Sequence, residues 1–282
     1  MILFMNVKNN IIHSDFLDVW NNESNEGTGV DFHSHIHEEH EIIYVFSGNV
    51  EFYLEGYKYP FLSESLFLVP SNSFHGWKPL SSRLYHRVSI CFKDALFSKA
   101  EQKLFLKPFT DGPRFFPNTT CRDINFYIRA LVDCKDMDPS LRDITLKGRL
   151  ISLLSEIIRL PSGNASEQTP KDKRILMILK HLEEHITDDL SLEDLAKDFS
   201  ISKNYLNILF RQTTGTTVSN YIRIKRLGLA RQEIVQGVKA QEAAYKAGFN
   251  DYSNFFRAYK AYYGSLPSAP GKTQPQEELN KD

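Results

Sequence analysis

The 282-residue chain is 41% hydrophobic and 24% charged with a formal net charge of −1, a balance suited to two soluble domains, each able to bury a core. No run of about 18 apolar residues is present to cross a bilayer, so no membrane partner is expected. The start MILFMNVKNN lacks a basic region and an export-length apolar core. The cysteines, Cys91, Cys121 and Cys134, are odd in number and have no C-x-x-C spacing. That suggests neither a disulfide framework nor a zinc knuckle and fits a reducing, cytoplasmic setting.

Residues 30–92 predict strands: short β-branched and aromatic runs such as IIYVFSG, VEFYLEG, YKYPF, SLFLVP and YHRVSICF are punctuated by Gly, Pro and Asn. Their close spacing points to a barrel or sandwich. VEFYL-EG-YKYPF predicts a tight hairpin with Gly56 at positive φ. From residue 95 to 160 the pattern turns helical, and Leu146, Leu150, Leu153, Leu154, Ile157 and Ile158 form an apolar stripe. The stripe packs either on the barrel or on the same helix of a second subunit. Residues 161–171 are polar without periodicity, as in an interdomain linker.

The rest predicts helices. RILMILKHLEEHI is amphipathic, Ser191 with Asp194 resembles a capping box, Ser202 caps the helix of NYLNILFRQ, and Gly215 ends it. A longer helix over 218–236 follows, then a short one at 242–247, a Gly248-Phe249 turn, and a last helix over 251–263. These segments form two helix-turn-helix units, at 191–212 and 240–263. In the first, Leu195, Ala196, Leu206, Leu209 and Phe210 can make a small core, leaving Ser202, Lys203, Asn207 and Arg211 outward. In the second, Ala243, Ala244, Phe249, Phe255 and Tyr259 do so, leaving Ser253, Asn254, Arg257 and Lys260 outward. Such donors suit guanine, adenine and phosphate. Between residues 200 and 264 ten Lys/Arg face three acids, whereas the first 199 residues hold 22 basic and 29 acidic residues. A basic segment on an acidic protein is a polyanion footprint.

EAAYKAGFNDYSNFFRAYKAYYGSLP resembles the signature of AraC/XylS-type regulators through Ala244, Gly248, Phe249, Phe255, Arg257, Tyr259, Lys260, Gly264 and Pro267. Tyr259 stands where Phe is usual, and Pro270-Gly271 replaces the usual Tyr-Arg. The resemblance covers residues 172–267. It implies sequence-specific binding of promoter DNA, usually for activation, with RNA polymerase as partner.

Six of the nine histidines lie between residues 33 and 86, four of them in FHSHIHEEH. His35 and His37 share a strand face, and the next strand can add Glu41. The spacing Gly29, His35, His37, Glu41, Gly48 is similar to the first cupin motif. Of the second motif Pro70 and His75 fit, while Glu64, Asn72 and Pro79 depart. Two occupants remain open. His35, His37, Glu41 and His75 can ligate a divalent metal ion, or they can line, with Tyr44 and Trp77, a polar pocket for a small effector such as a sugar. Tyr53 and Arg87 are further pocket candidates. No cofactor other than such a metal is expected.

The expected architecture is α+β and multidomain. A cupin-like effector-sensing β-barrel spans 1–94, a helical packing or dimerisation segment 95–160, the linker 161–171, and an all-α DNA-binding domain with both helix-turn-helix units 172–270. The expected function is that of a transcription regulator, not an enzyme, acting as a homodimer under a small-molecule effector. The alternative is a metal-dependent cupin enzyme, a dioxygenase or isomerase, with a helical appendage.

Overall fold

The computed structural model describes residues 8–14, 16–24, 33–61, 63–80, 85–111, 115–117, 123–160 and 172–268. The expected linker, Gly29, Cys121 and Pro270-Gly271 lie outside them.

Among the described residues ten strands run in chain order: β1 (Lys8–His13), β2 (Leu17–Ser24), β3 (His33–His35), β4 (His40–Ser47), β5 (Val50–Leu54), β6 (Tyr57–Phe61), β7 (Ser65–Val69), β8 (His75–Pro79), β9 (Tyr85–Phe92) and β10 (Phe115–Phe116). They form a six-stranded sheet, β1-β2-β9-β4-β7-β10, and a four-stranded sheet, β3-β8-β5-β6. β1 and β2 extend the β region upstream of residue 30, and β10 interrupts the segment expected to be wholly helical. The β5–β6 hairpin turns on Glu55 (φ 45°) and Gly56 (φ 87°), the two left-handed residues that match a tight turn to strand twist.

Side-chain alternation divides the large sheet between two cores. Ile43 and Val45 of β4 face the four-stranded sheet and pack with Phe52, Phe67, Val69 and Trp77. Ile42 and Tyr44 face the other way, with Val88, Ile90 and Phe92 of β9. That outer face is covered by α3 (Ile124–Val132) and α4 (Pro139–Arg159), while α1 (Lys99–Phe105) and α2 (Lys107–Thr110) supply Phe105 and Phe109 to the same cluster. Leu146, Leu150, Leu153, Leu154 and Ile157 of α4 are buried against this sheet face, each burial being worth roughly 1.5–3 kcal/mol. The stripe therefore packs on the barrel, and Ile158 lies outside it, 40% exposed.

Six helices follow among the described residues: α5 (Arg174–Glu184), α6 (Leu192–Asp198), α7 (Lys203–Thr214), α8 (Val218–Val235), α9 (Ala240–Lys246) and α10 (Tyr252–Tyr263). Local chemistry sets their ends. The Ser191 hydroxyl accepts from the Glu193 and Asp194 amides, Ser202 from Tyr205, Thr217 from Asn220, and the Asp251 carboxylate from Asn254, each a standard N-cap. Gly215 (φ 76°) and Gly264 (φ 65°) close α7 and α10 in the left-handed conformation. The expected first-unit core is buried with residues of α5 and α8. The second-unit core of Ala243, Ala244, Phe255 and Tyr259 is buried, with Phe249 packed at its edge.

The β-rich part docks directly on these helices. Ile36 and Phe74 are buried in the core formed by α5, α6, α7 and α8, and the Phe74 and Tyr221 rings lie 4.8 Å apart. At the β5–β6 turn the Glu55 carboxylate accepts from the Lys225 ammonium at 2.8 Å and the Tyr221 hydroxyl at 3.3 Å.

Candidate functional sites

The first site lies inside the barrel. His35 ends β3, His37 follows it, Glu41 belongs to β4, and His75 opens β8 opposite His35. All four are buried. One potential ligand atom from each lies within 4.8 Å of the others. The imidazole rings of His35 and His75 are 4.2 Å apart, and those of His37 and His75 4.9 Å.

The orientation of two of these rings is set from behind. His37 Nδ1 meets the Glu39 carbonyl at 3.0 Å and His75 Nδ1 the Ser73 carbonyl at 2.9 Å. A carbonyl only accepts, so each Nδ1 carries the proton. Each Nε2 is then directed at Glu41 Oε2, at 3.3 Å from His37 and 3.2 Å from His75. Two neutral imidazole nitrogens would thus present lone pairs to a carboxylate, an arrangement that requires a cation among them, whether a proton or a metal ion. Backbone carbonyls behind ligating histidines are the usual outer support of a metal site, so the donor set fits a divalent transition ion.

The protonation energetics agree. Burial pushes the His37 imidazole down, but the hydrogen bond and charge of Glu41 outweigh it and raise its pKa. Burial would raise the Glu41 carboxyl, yet His37 and His75 hold it well below the usual carboxylate range. Burial, reinforced by His75 and His37, keeps His35 well below its ordinary value and neutral. The Cys91 thiol is pushed well up by burial and then by Glu41, so it faces the cavity as a neutral group.

The cavity measures about 20 Å³ and is lined by Trp20, Asn22, His35, His37, Glu41, Trp77, Arg87, Ser89 and Cys91. That is room for one water or ion. Trp77 is present, with the Arg87 guanidinium 3.7 Å from its ring centroid. Tyr44 is not brought to the site. It lies on the opposite sheet face beside Phe46, with ring centroids 4.9 Å apart, because residues 41 and 44 differ in parity along β4. Tyr53 is also elsewhere, hydrogen-bonded to Glu51. Sequence reasoning missed Trp20, Asn22, Ser89 and Cys91. The alternation of β9 around Arg87 could have exposed Ser89 and Cys91, whereas Trp20 and Asn22 depend on the β2–β9 register.

The second site is the solvent face of the two helix-turn-helix units. Ser202, Lys203 and Arg211 are exposed at α7 and Asn207 is half-buried, while Ser253, Asn254, Arg257 and Lys260 are all exposed on α10. Lys203 pairs with Glu193, and Arg257 donates to Asn254. Ile208, 54% exposed on the same helix as Arg211, was not anticipated and suits contact with a thymine methyl. Part of the basic surplus is internal. Lys225 and Arg231 are buried, and Arg226 donates to the carbonyls of Ile186, Gly248 and Asp188. These three cations brace the fold and do not contribute to a polyanion footprint.

A β-rich shell with a small polar interior, joined to paired helix-turn-helix units with exposed donors, defines a ligand-controlled DNA-binding regulator. The family model described as AraC-like ligand binding domain matches residues 23–179, and that described as Helix-turn-helix domain matches 195–271. The chain belongs to the AraC family of transcription regulators. It is similar to proteins named HTH-type transcriptional activator RhaS from Escherichia coli O139:H28 and Shigella sonnei, each 22% identical over 247 residues, covering 84% of this chain and 86% of the relative. ToxT from Vibrio cholerae is a similar solved structure, with 14% identity, 90% and 97% of the two chains covered, and a TM-score of 0.38. No helix among the described residues is long and apolar enough to cross a membrane.

Proposed function

We propose that the chain acts in the cytoplasm as a homodimer on promoter DNA. Ser202, Lys203, Asn207 and Arg211 serve the first reading helix, and Ser253, Asn254, Arg257 and Lys260 the second. The effector is held among His35, His37, Glu41, His75 and Trp77. RNA polymerase is its partner in activation, the activity in the printed name of its RhaS relatives. The expected division at 94, 160 and 171 is kept as the domain reading.

The observation that carries this reading is the exposure of seven of the eight donors, with Asn207 half-buried, on two helices whose other faces are buried. Phe126, Leu141 and Ile144, exposed on α3 and α4 at 72%, 59% and 77%, support a self-association surface.

Genomic fragments retained by the full-length protein supply an operator. Arg211→Ala and Arg257→Ala should each weaken binding to it by about 1–3 kcal/mol, or roughly 5- to 150-fold, with unchanged helix content. Wild-type affinity and footprints in both variants would remove α7 and α10 from the interface.

A further inference from the structure

We infer that the effector of this regulator is a divalent transition-metal cation bound by His35, His37, Glu41 and His75, and that residues 34–38 transmit its presence to both DNA-reading helices. This rests on the regulator reading above and adds to it the ligand class and the route of control.

Alternation along one short segment makes the connection. His35 and His37 turn inward to the four-residue cluster. Ser34, Ile36 and Glu38, between and beyond them, turn outward to the helices. The Ser34 hydroxyl donates to the carbonyl of Thr214, the last residue of α7, at 2.8 Å. The Ile36 amide donates to the Tyr262 hydroxyl, near the end of α10, at 3.0 Å, and that hydroxyl lies 3.4 Å from the Ile36 carbonyl. Glu38 pairs with Arg231 of α8 at 3.2 Å. Five consecutive residues therefore touch the metal-type donor set on one side. On the other they touch the ends of both reading helices and the helix between them. Ser34 and Ile36 are 9% and 4% exposed, so these contacts lie within packed structure, where a shift of the backbone is passed on and not absorbed.

The occupant is inferred from the donors. The Nδ1 atoms of His37 and His75 are committed to backbone carbonyls, which leaves Nε2 lone pairs converging on the Glu41 carboxylate. Imidazole with carboxylate suits zinc, iron, manganese or nickel, and the cavity admits an ion. A bound ion draws His35 and His37 toward Glu41 and His75 and so fixes the segment between them. By linkage, the free energy with which the ion prefers one segment position biases the arrangement of α7 and α10 by the same amount.

The test uses untagged full-length protein, stripped with chelator and titrated with cobalt(II). Ligand-field absorption, operator anisotropy and hydrogen exchange are followed together. Wild type should bind one cobalt per chain, with tight binding lost in His75→Ala and also in the more conservative Glu41→Gln. Operator affinity should differ about tenfold between cobalt-loaded and stripped protein. Cobalt should also slow exchange at 34–38 and 225–231. Glu38→Gln and Tyr262→Phe should keep the cobalt absorption but reduce the affinity difference to about twofold or less. The inference is overturned by absence of stoichiometric cobalt in wild type, by cobalt binding that changes neither affinity nor exchange, or by a wild-type response in Glu38→Gln and Tyr262→Phe. If neither form prefers any duplex, the regulator reading fails, while absorption and exchange still decide the metal and its coupling.

Discussion

Gly248→Ala should abolish operator binding and destabilise the C-terminal helices by about 2–6 kcal/mol, combining backbone strain and overpacking of about 1–3 kcal/mol each. Gly248 forms the turn of the second helix-turn-helix unit at φ 90°, a conformation costly for any residue with a Cβ. The added Cβ would lie 2.7 Å from the Thr187 carbonyl oxygen, 2.9 Å from the Thr187 Cα and 3.0 Å from Arg226 Nε. The first two are backbone atoms and cannot swing aside. Arg226, the third neighbour, ties the Gly248 carbonyl to those of Ile186 and Asp188, so any adjustment disturbs the joint between the two units. Urea unfolding followed by helix signal, together with operator anisotropy, reads both effects. A variant with the wild-type midpoint and affinity would show that this turn is not as tightly packed as its contacts require.

Arg231→Met is the second large effect, expected to cost about 3–5 kcal/mol, the range for removing one partner of a buried ion pair. Arg231 is 2% exposed. It pairs with Glu38, donates to the Tyr259 hydroxyl at 3.0 Å, and stacks 4.6 Å from the centroid of Tyr263. Methionine keeps much of the volume and none of the charge, so the partly buried Glu38 carboxylate loses its guanidinium partner and the Tyr259 hydroxyl loses a donor. The double variant Arg231→Met/Glu38→Gln should recover part of the loss, because the stranded carboxylate is then gone. Unfolding of the four members of this cycle measures the coupling. Strictly additive losses would show that Glu38 and Arg231 do not stabilise the docked arrangement through each other.

Features encoded locally are legible in the amino-acid sequence. The caps at Ser191 and Ser202, the stop at Gly215 and the Glu55-Gly56 turn depend on groups a few residues apart, and they form where the chain predicts them. The histidine site is legible for the same reason, because His35, His37 and Glu41 lie close in sequence and their spacing survives folding. Tyr44 is a pocket candidate by residue type alone, yet it lies three residues from Glu41 along β4, and strand alternation puts it on the other sheet face. Parity along the strand is enough to exclude it. β2 carries no comparable signal: LDVWNNES places Val19 next to Trp20 and Asn21 next to Asn22 without strict alternation, and Asn22 faces the cavity that Trp20 also lines.

The sequence by itself determined the helix ends, the hairpin, the grouping of His35, His37 and Glu41 and the two amphipathic reading units, because each arises from near-neighbour spacing and backbone chemistry, whereas strand pairing brings His75 opposite His35. Only the tertiary structure decided that α4 covers the barrel, that Lys225, Arg226 and Arg231 serve the interior, and that Ser34, Ile36 and Glu38 meet Thr214, Tyr262 and Arg231. Those pairs are separated by up to 226 positions. Nothing local specifies them. They exist because burying the faces of both halves brings the segment and the helices into one packed interface.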